Sequence, residues 1–164
     1  MARERTLEDV IMYFIQAVAQ PLTWADYSAL GVPRFNLIRR MRFPNVFRAL
    51  LICLVYRSLP LAFPQYSQEL RKTMEEIFNK TYAGYEVDGE NTAEMVKGYN
   101  ELVDMSASRP FFELANHVMA TQRRLLAKTE QAGQAEKLNQ RLEQIFGNFS
   151  TLSEDVQIVE QKKR

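Results

Sequence analysis

Six arginines, Arg34, Arg39, Arg40, Arg42, Arg48 and Arg57, stand between Tyr27 and Gln68, a stretch that holds no Asp, no Glu and no Lys. Taking those six from the chain's 21 Lys and Arg leaves 15 basic side chains against 20 Asp and Glu, so a near-neutral chain conceals a strong charge asymmetry. A guanidinium fork grips phosphate oxygens two at a time and stacks on planar rings, which an ammonium cannot do. Arg39, Arg40 and Arg42 put three forks within four positions, between Phe35 and Phe43. Arginines among aromatic rings suit a phosphate chain with unpaired bases. A smaller basic cluster, Arg123, Arg124 and Lys128, extends the patch if it folds beside the first. Two other uses of these residues stay open: the arginines can pair with the surplus carboxylates of the same chain, and Phe35, Phe43, Phe47 and Tyr56 fall at the helical spacings of core residues.

Catalytic chemistry has little to work with. His117 is the sole histidine and has Glu113 four residues before it, whereas a di-iron bundle needs repeated Glu-x-x-His pairs and further glutamates. Cys53 lies inside the apolar run Ala49–Tyr56, where a thiol behaves as a small hydrophobe with a raised pKa. The sequence contains no glycine-rich phosphate loop, no Gly-x-Ser-x-Gly, no HExxH and no Cys-x-x-Cys. The expectation is therefore no catalytic residue, no metal site and no cofactor.

The elements that must position the arginines read as helices. Thr6 and Thr23 are N-caps for helices reaching about Gln20 and Leu30, with Gly31 closing the second. The pattern predicts a short basic helix over 34–43, broken or bent at Pro44, and then a core helix from Pro44 through Leu59, stopped by Pro60 and Pro64. A fourth helix spans about Gln65 to Tyr82. Asn91 and Glu94 form a capping box for a fifth, reaching about Met105. Asp88-Gly89 is hairpin chemistry, but its flanks are too short and polar to build a sheet. One long helix is expected from Pro110 to Gly147 or Asn148, followed by a polar tail or weak helix. The fold class is all-α: a single compact helical bundle of six to eight helices over 1–149, with 150–164 as the tail.

At 46% hydrophobic and 25% charged residues the chain has the composition of a globular domain. The longest unbroken apolar run is eight residues, so no transmembrane helix and no membrane partner is expected, and the single cysteine fits a reducing, cytoplasmic setting.

The arginine-rich stretch Arg34–Arg42, the apolar helix Val46-Phe47-Arg48-Ala49-Leu50-Leu51 with Tyr56-Arg57-Ser58-Leu59-Pro60, and the segment Tyr82 to Asn91 before a helix are similar to the small helical subunit of class 1 CRISPR effector complexes. The resemblance is to the form related to the C-terminal part of the type I-D large subunit, and it covers the middle half of the chain. It implies a non-catalytic protein present in several copies along a crRNA-guided complex, bracing the backbone subunits and holding the displaced non-target single-stranded DNA in the crRNA–target DNA assembly. On that reading Arg34, Arg39, Arg40, Arg42, Arg48, Arg123, Arg124 and Lys128 are the candidate nucleic-acid contacts. The acidic balance outside the basic stretch departs from a wholly basic strand binder and fits surfaces that meet neighbouring subunits. The alternative is a cytosolic helical adaptor or chaperone whose arginines clamp an acidic protein. A third reading, an enzyme acting through His117 and a nearby acid, is the one that His117→Ala with unchanged activity ends.

Overall fold

The computed structural model describes residues 1–32, 37–121 and 128–160, with backbone alone over 37–41 and 128–131. Helices dominate, as the apolar spacing requires: α1 (Leu7–Ala19), α2 (Trp24–Ala29), α3 (Leu37–Ala62), α4 (Ser67–Thr81), α5 (Thr92–Met105), α6 (Phe112–Ala120), α7 (Lys128–Ser150) and the single turn α8 (Leu152–Asp155). The all-α bundle expected from the sequence is the architecture found. Capping boxes start three of these helices where the sequence placed them. Thr6 pairs with Asp9, Thr23 with Asp26 and Asn91 with Glu94, each satisfying two backbone N–H groups that the first turn leaves open.

The basic helix and the core helix, expected as two pieces parted at Pro44, are one. Helix α3 runs unbroken through Pro44 and also through Pro60. Each proline removes one intrahelical hydrogen bond, and the burial of the chain around them outweighs that loss. Every side chain from Ala49 to Tyr56 is at most 8% exposed, packed against α1, α4, α5 and α7. Among the described residues Arg42–Ala62 is the one helical stretch long and apolar enough to cross a bilayer by length and composition alone, a test that a buried core helix also passes. Arg48 and Arg57 do not interrupt its helix, and 72% of its most apolar window is covered by the bundle.

The long helix expected from Pro110 to Gly147 is also corrected: the chain is cut into α6 and α7, which pack against each other instead of running on. Helix α7 fastens α2 as well. The Arg141 Nε–H donates to Asp26 at 2.9 Å, and the Asp26 carboxylate also accepts from the Thr23 backbone N–H and hydroxyl. Gln134 donates to the Ser28 and Ala29 carbonyls at 2.7 and 2.6 Å. Gly31, at φ 70°, lies so close to the Gln134 side chain that a Cβ there would stand 3.0 Å from it, so both conformation and space call for glycine.

Two small strand pairs complete the fold. β1 (Arg3–Arg5) pairs in parallel with β4 (Val156–Ile158), and the Val159 N–H donates to the Arg5 carbonyl at 2.9 Å. The stretch after Ser150, expected as a weak helix or loose tail, thus ties the two ends of the chain together. β2 (Glu86–Val87) and β3 (Glu90–Asn91) form the hairpin that the sequence offered and then discounted, turned by Asp88 and Gly89 at φ 52° and 83°. Two residues at positive φ are what a type I′ turn demands.

Candidate nucleic-acid interface

The arginines of α3 divide along its length. Arg39, Arg40 and Arg42 occupy its first two turns, and α3 has no acidic residue in its first turn. Helix N-termini carry partial positive charge, so cations there work against the helix by roughly 0.3–1 kcal/mol each, and anions are favoured. The side chains of Arg39, Arg40 and Lys128 are outside the described residues, as are Arg34, Arg123 and Arg124 altogether, and the expected meeting of the two basic clusters lies outside them too.

Arg42 is partly exposed and pairs with Asp88 at the tip of the β2–β3 hairpin. Arg57, four turns further on, donates to Asp104 of α5 at 2.9 Å. Of the two alternatives open in the sequence, these two arginines have taken carboxylates of their own chain, 46 and 47 residues away. Arg48 differs. Its NH1 group donates to Asn45 at 2.9 Å, its charge meets no carboxylate among the described residues, and its guanidinium carbon lies 4.4 Å from the Tyr82 ring centre and 4.9 Å from that of Tyr85. The Arg48 Nε–H is buried without an acceptor, an arrangement that costs about 1–3 kcal/mol.

The hairpin and the end of α4 are therefore the second half of the surface; the sequence marked this segment as a turn and as part of the family resemblance, and not as the partner of the arginines. Tyr82 is buried and Tyr85 is 44% exposed, the two rings meeting edge to face at 5.7 Å. The signal that could have found them was Asp88-Gly89, a turn dipeptide placing an acid and an aromatic within reach of a basic helix. Phe43, Phe47 and Tyr56, by contrast, are 3%, 2% and 6% exposed and belong to the core, which removes them as stacking surfaces. Phe35 lies outside the described residues.

Cys53 and His117 are the other reactive side chains. Cys53 is buried, its thiol pushed up to about 12 by burial, with Arg57 opposing the shift. It donates to the Asn100 side-chain oxygen at 3.4 Å. His117 is exposed at the wall of a shallow groove with Glu90 and Glu94, its ring edge-on to Tyr99. No group of three or more metal-ligating side chains occurs among the described residues. At the far end of α3 a groove of about 380 Å³ is lined by Arg57, Pro60, Leu61, Val103, Pro110 and Phe111. Leu61 at its edge is 62% exposed and nearby Met105 is 75% exposed. No protein-family model, curated protein or solved structure matches the chain.

Proposed function

We propose that this protein is a non-catalytic, phosphate-contacting subunit of a cytoplasmic ribonucleoprotein, with the first two turns of α3 as the contact. The observation that carries the reading is the placement of Arg39, Arg40 and Arg42 at a helix N-terminus with no acid in the first turn, where the helix itself is disfavoured by them and an anion is doubly favoured. Phosphate contacts give affinity without sequence preference, which suits a subunit that holds whatever strand is delivered to it. The particular assembly we propose is the one the sequence resemblance implies: a crRNA-guided complex in which several copies brace the backbone and hold the displaced DNA strand.

The test is the salt dependence of binding to single-stranded DNA. Affinity falls steeply with salt, and each of Arg39→Ala, Arg40→Ala and Arg42→Ala lowers the log–log slope by about 0.7, the share of one neutralised phosphate on a single strand. A flat salt dependence sinks the proposal.

A second reading, an adaptor that docks a protein, is favoured by one observation: two large apolar side chains are left exposed near the Arg57–Asp104 pair, Leu61 on the groove that Arg57 also lines and Met105 next in sequence to Asp104. It requires a protein partner that stays bound after nuclease treatment, and loss of that partner on Leu61→Asp.

A further inference from the structure

Arg48 and Tyr85 have features that the bundle does not need. Arg48 is the one arginine of α3 with a described side chain and no carboxylate partner. It is nevertheless held in place, by Asn45 on one nitrogen and by the Tyr82 and Tyr85 rings, whose centres lie 4.4 and 4.9 Å from its guanidinium carbon. Of its five N–H donors one is spent on Asn45 and another is buried without an acceptor. The charge is thus oriented but not neutralised. Tyr85 is a large ring left 44% exposed beside it, fixed by its backbone N–H to the Tyr82 carbonyl at 3.1 Å and by the edge-to-face contact with Tyr82. A fixed ring next to a fixed, unpaired guanidinium presents a stacking face and a phosphate donor together.

We propose that Tyr85 and Arg48 form a stacking site for one unpaired nucleotide, the base resting on the Tyr85 ring and the phosphate meeting the guanidinium of Arg48. This rests on the phosphate-contact reading above and adds to it the residue that selects single strands. The site follows the basic turns along the same helix: six residues separate Arg42 from Arg48, about 9 Å of helix rise. Six residues also turn the helix by about 120°, so what joins the two is the segment they both reach, Arg42 at Asp88 and Arg48 at Tyr85, and a strand crossing that segment meets a phosphate donor and the ring together. Duplex DNA keeps its base faces stacked on one another and has none to offer Tyr85. An acidic peptide would use Arg48 and have no need of an exposed ring. The buried Tyr82 backs the Arg48 guanidinium, so its part is positioning.

The test is anisotropy titration of the full chain with a short labelled mixed-sequence single strand and with its duplex, for the wild type and for Tyr85→Phe, Tyr85→Leu and Tyr85→Ala. Loss of one base stack weakens single-strand binding by about 5- to 150-fold in the Leu and Ala variants, while Phe keeps the ring and stays within about 2-fold. Duplex binding is the same for all four. The Leu variant retains an apolar side chain against Tyr82, so a disturbed hairpin shows as a difference between Leu and Ala, whereas removal of the stack is common to both. An unchanged single-strand affinity in both variants, or an equal loss on single strand and duplex, overturns the stacking site and leaves the phosphate contact standing. Failure of the wild-type chain to bind either form overturns the phosphate reading, and the stacking site with it.

Discussion

From Ala49 to Tyr56 every side chain of α3 is buried, whereas Arg42, Pro44, Asn45 and Arg48, one to two turns earlier on the same helix, are partly open. The later half is held by packing on α1, α4, α5 and α7. The earlier half is held on its open side by an ion pair and two rings from the β2–β3 hairpin and the end of α4. One continuous backbone thus serves two purposes, and the difference lies in what substitution removes from each half: close-packed apolar surface in one, screened and exposed charge in the other. Changes in the later half should cost stability and leave anion binding alone. Changes to the partly exposed charges of the earlier half should do the reverse, while Phe43, Val46 and Phe47 on its buried side belong with the core.

The largest effect belongs to the core half. Leu54 has no exposed surface, and Leu54→Ala removes buried methyl groups from a site walled by other helices that cannot collapse freely, so a loss of about 2–5 kcal/mol is expected in urea unfolding. A loss below about 1 kcal/mol would mean that this half is loosely packed, and the contrast between the halves would disappear.

Cys53 gives the same half a signature in pH. Burial raises its thiol from an ordinary value near 9 to about 12, so the folded state holds the proton more tightly than the unfolded chain does. The resulting stability is fully present below about pH 9 and is lost as pH rises towards 12, by about 1.4 kcal/mol per unit. Tyr56 and Tyr99 are also shifted upward by burial, so total alkaline unfolding mixes three groups. Comparing the wild type with Cys53→Ala isolates the thiol: the stability gap between them should narrow above pH 9 and be constant below it. A gap independent of pH would show that the thiol is hydrated.

What could be read from the sequence follows the range of the interactions involved. The caps at Thr6, Thr23 and Asn91 were legible because a capping box is closed within four residues. So was the core character of the Ala49–Tyr56 run. Pro44 and Pro60 misled because a local rule prices the missing hydrogen bond and cannot see the packing that offsets it. The β1–β4 pair joins residues about 150 positions apart in strands of three residues, too short to show an alternating pattern. The partners of Arg42 and Arg57 are hidden for the same reason: a count of acids and bases shows that a surplus of carboxylates exists, and only the fold shows that Asp88 and Asp104 are the ones used.

Arg42 and Arg57 make the comparison sharper because they match in residue type, in helix and in having an aspartate partner, and differ in which half they occupy. Both pairs are exposed enough that removing either costs only about 0.2–1 kcal/mol of stability. Arg42→Ala should nevertheless lower the salt slope of single-strand binding by about 0.7, and Arg57→Ala should leave it unchanged. Equal slopes in the two variants would make the basic surface a property of net charge and not of the first turns of α3.

The smallest expected effect is the most specific. Asp88 is the carboxylate that meets Arg42, and it occupies a turn position at φ 52°, which excludes most replacements. Asparagine is the exception, since it adopts positive φ as readily as aspartate and is favoured at this position of a type I′ turn. Asp88→Asn therefore deletes one negative charge and keeps the hairpin, so Tyr85 and its contact with Arg48 stay in place. If Asp88 merely neutralises Arg42, freeing that guanidinium should strengthen single-strand binding by about 2- to 5-fold at low salt, the scale of one exposed pair. The gain should fade as salt is raised. If Asp88 instead aims Arg42 at a phosphate, the same substitution weakens binding. The sign of a small change thus separates a competitor for the arginine from a support for it.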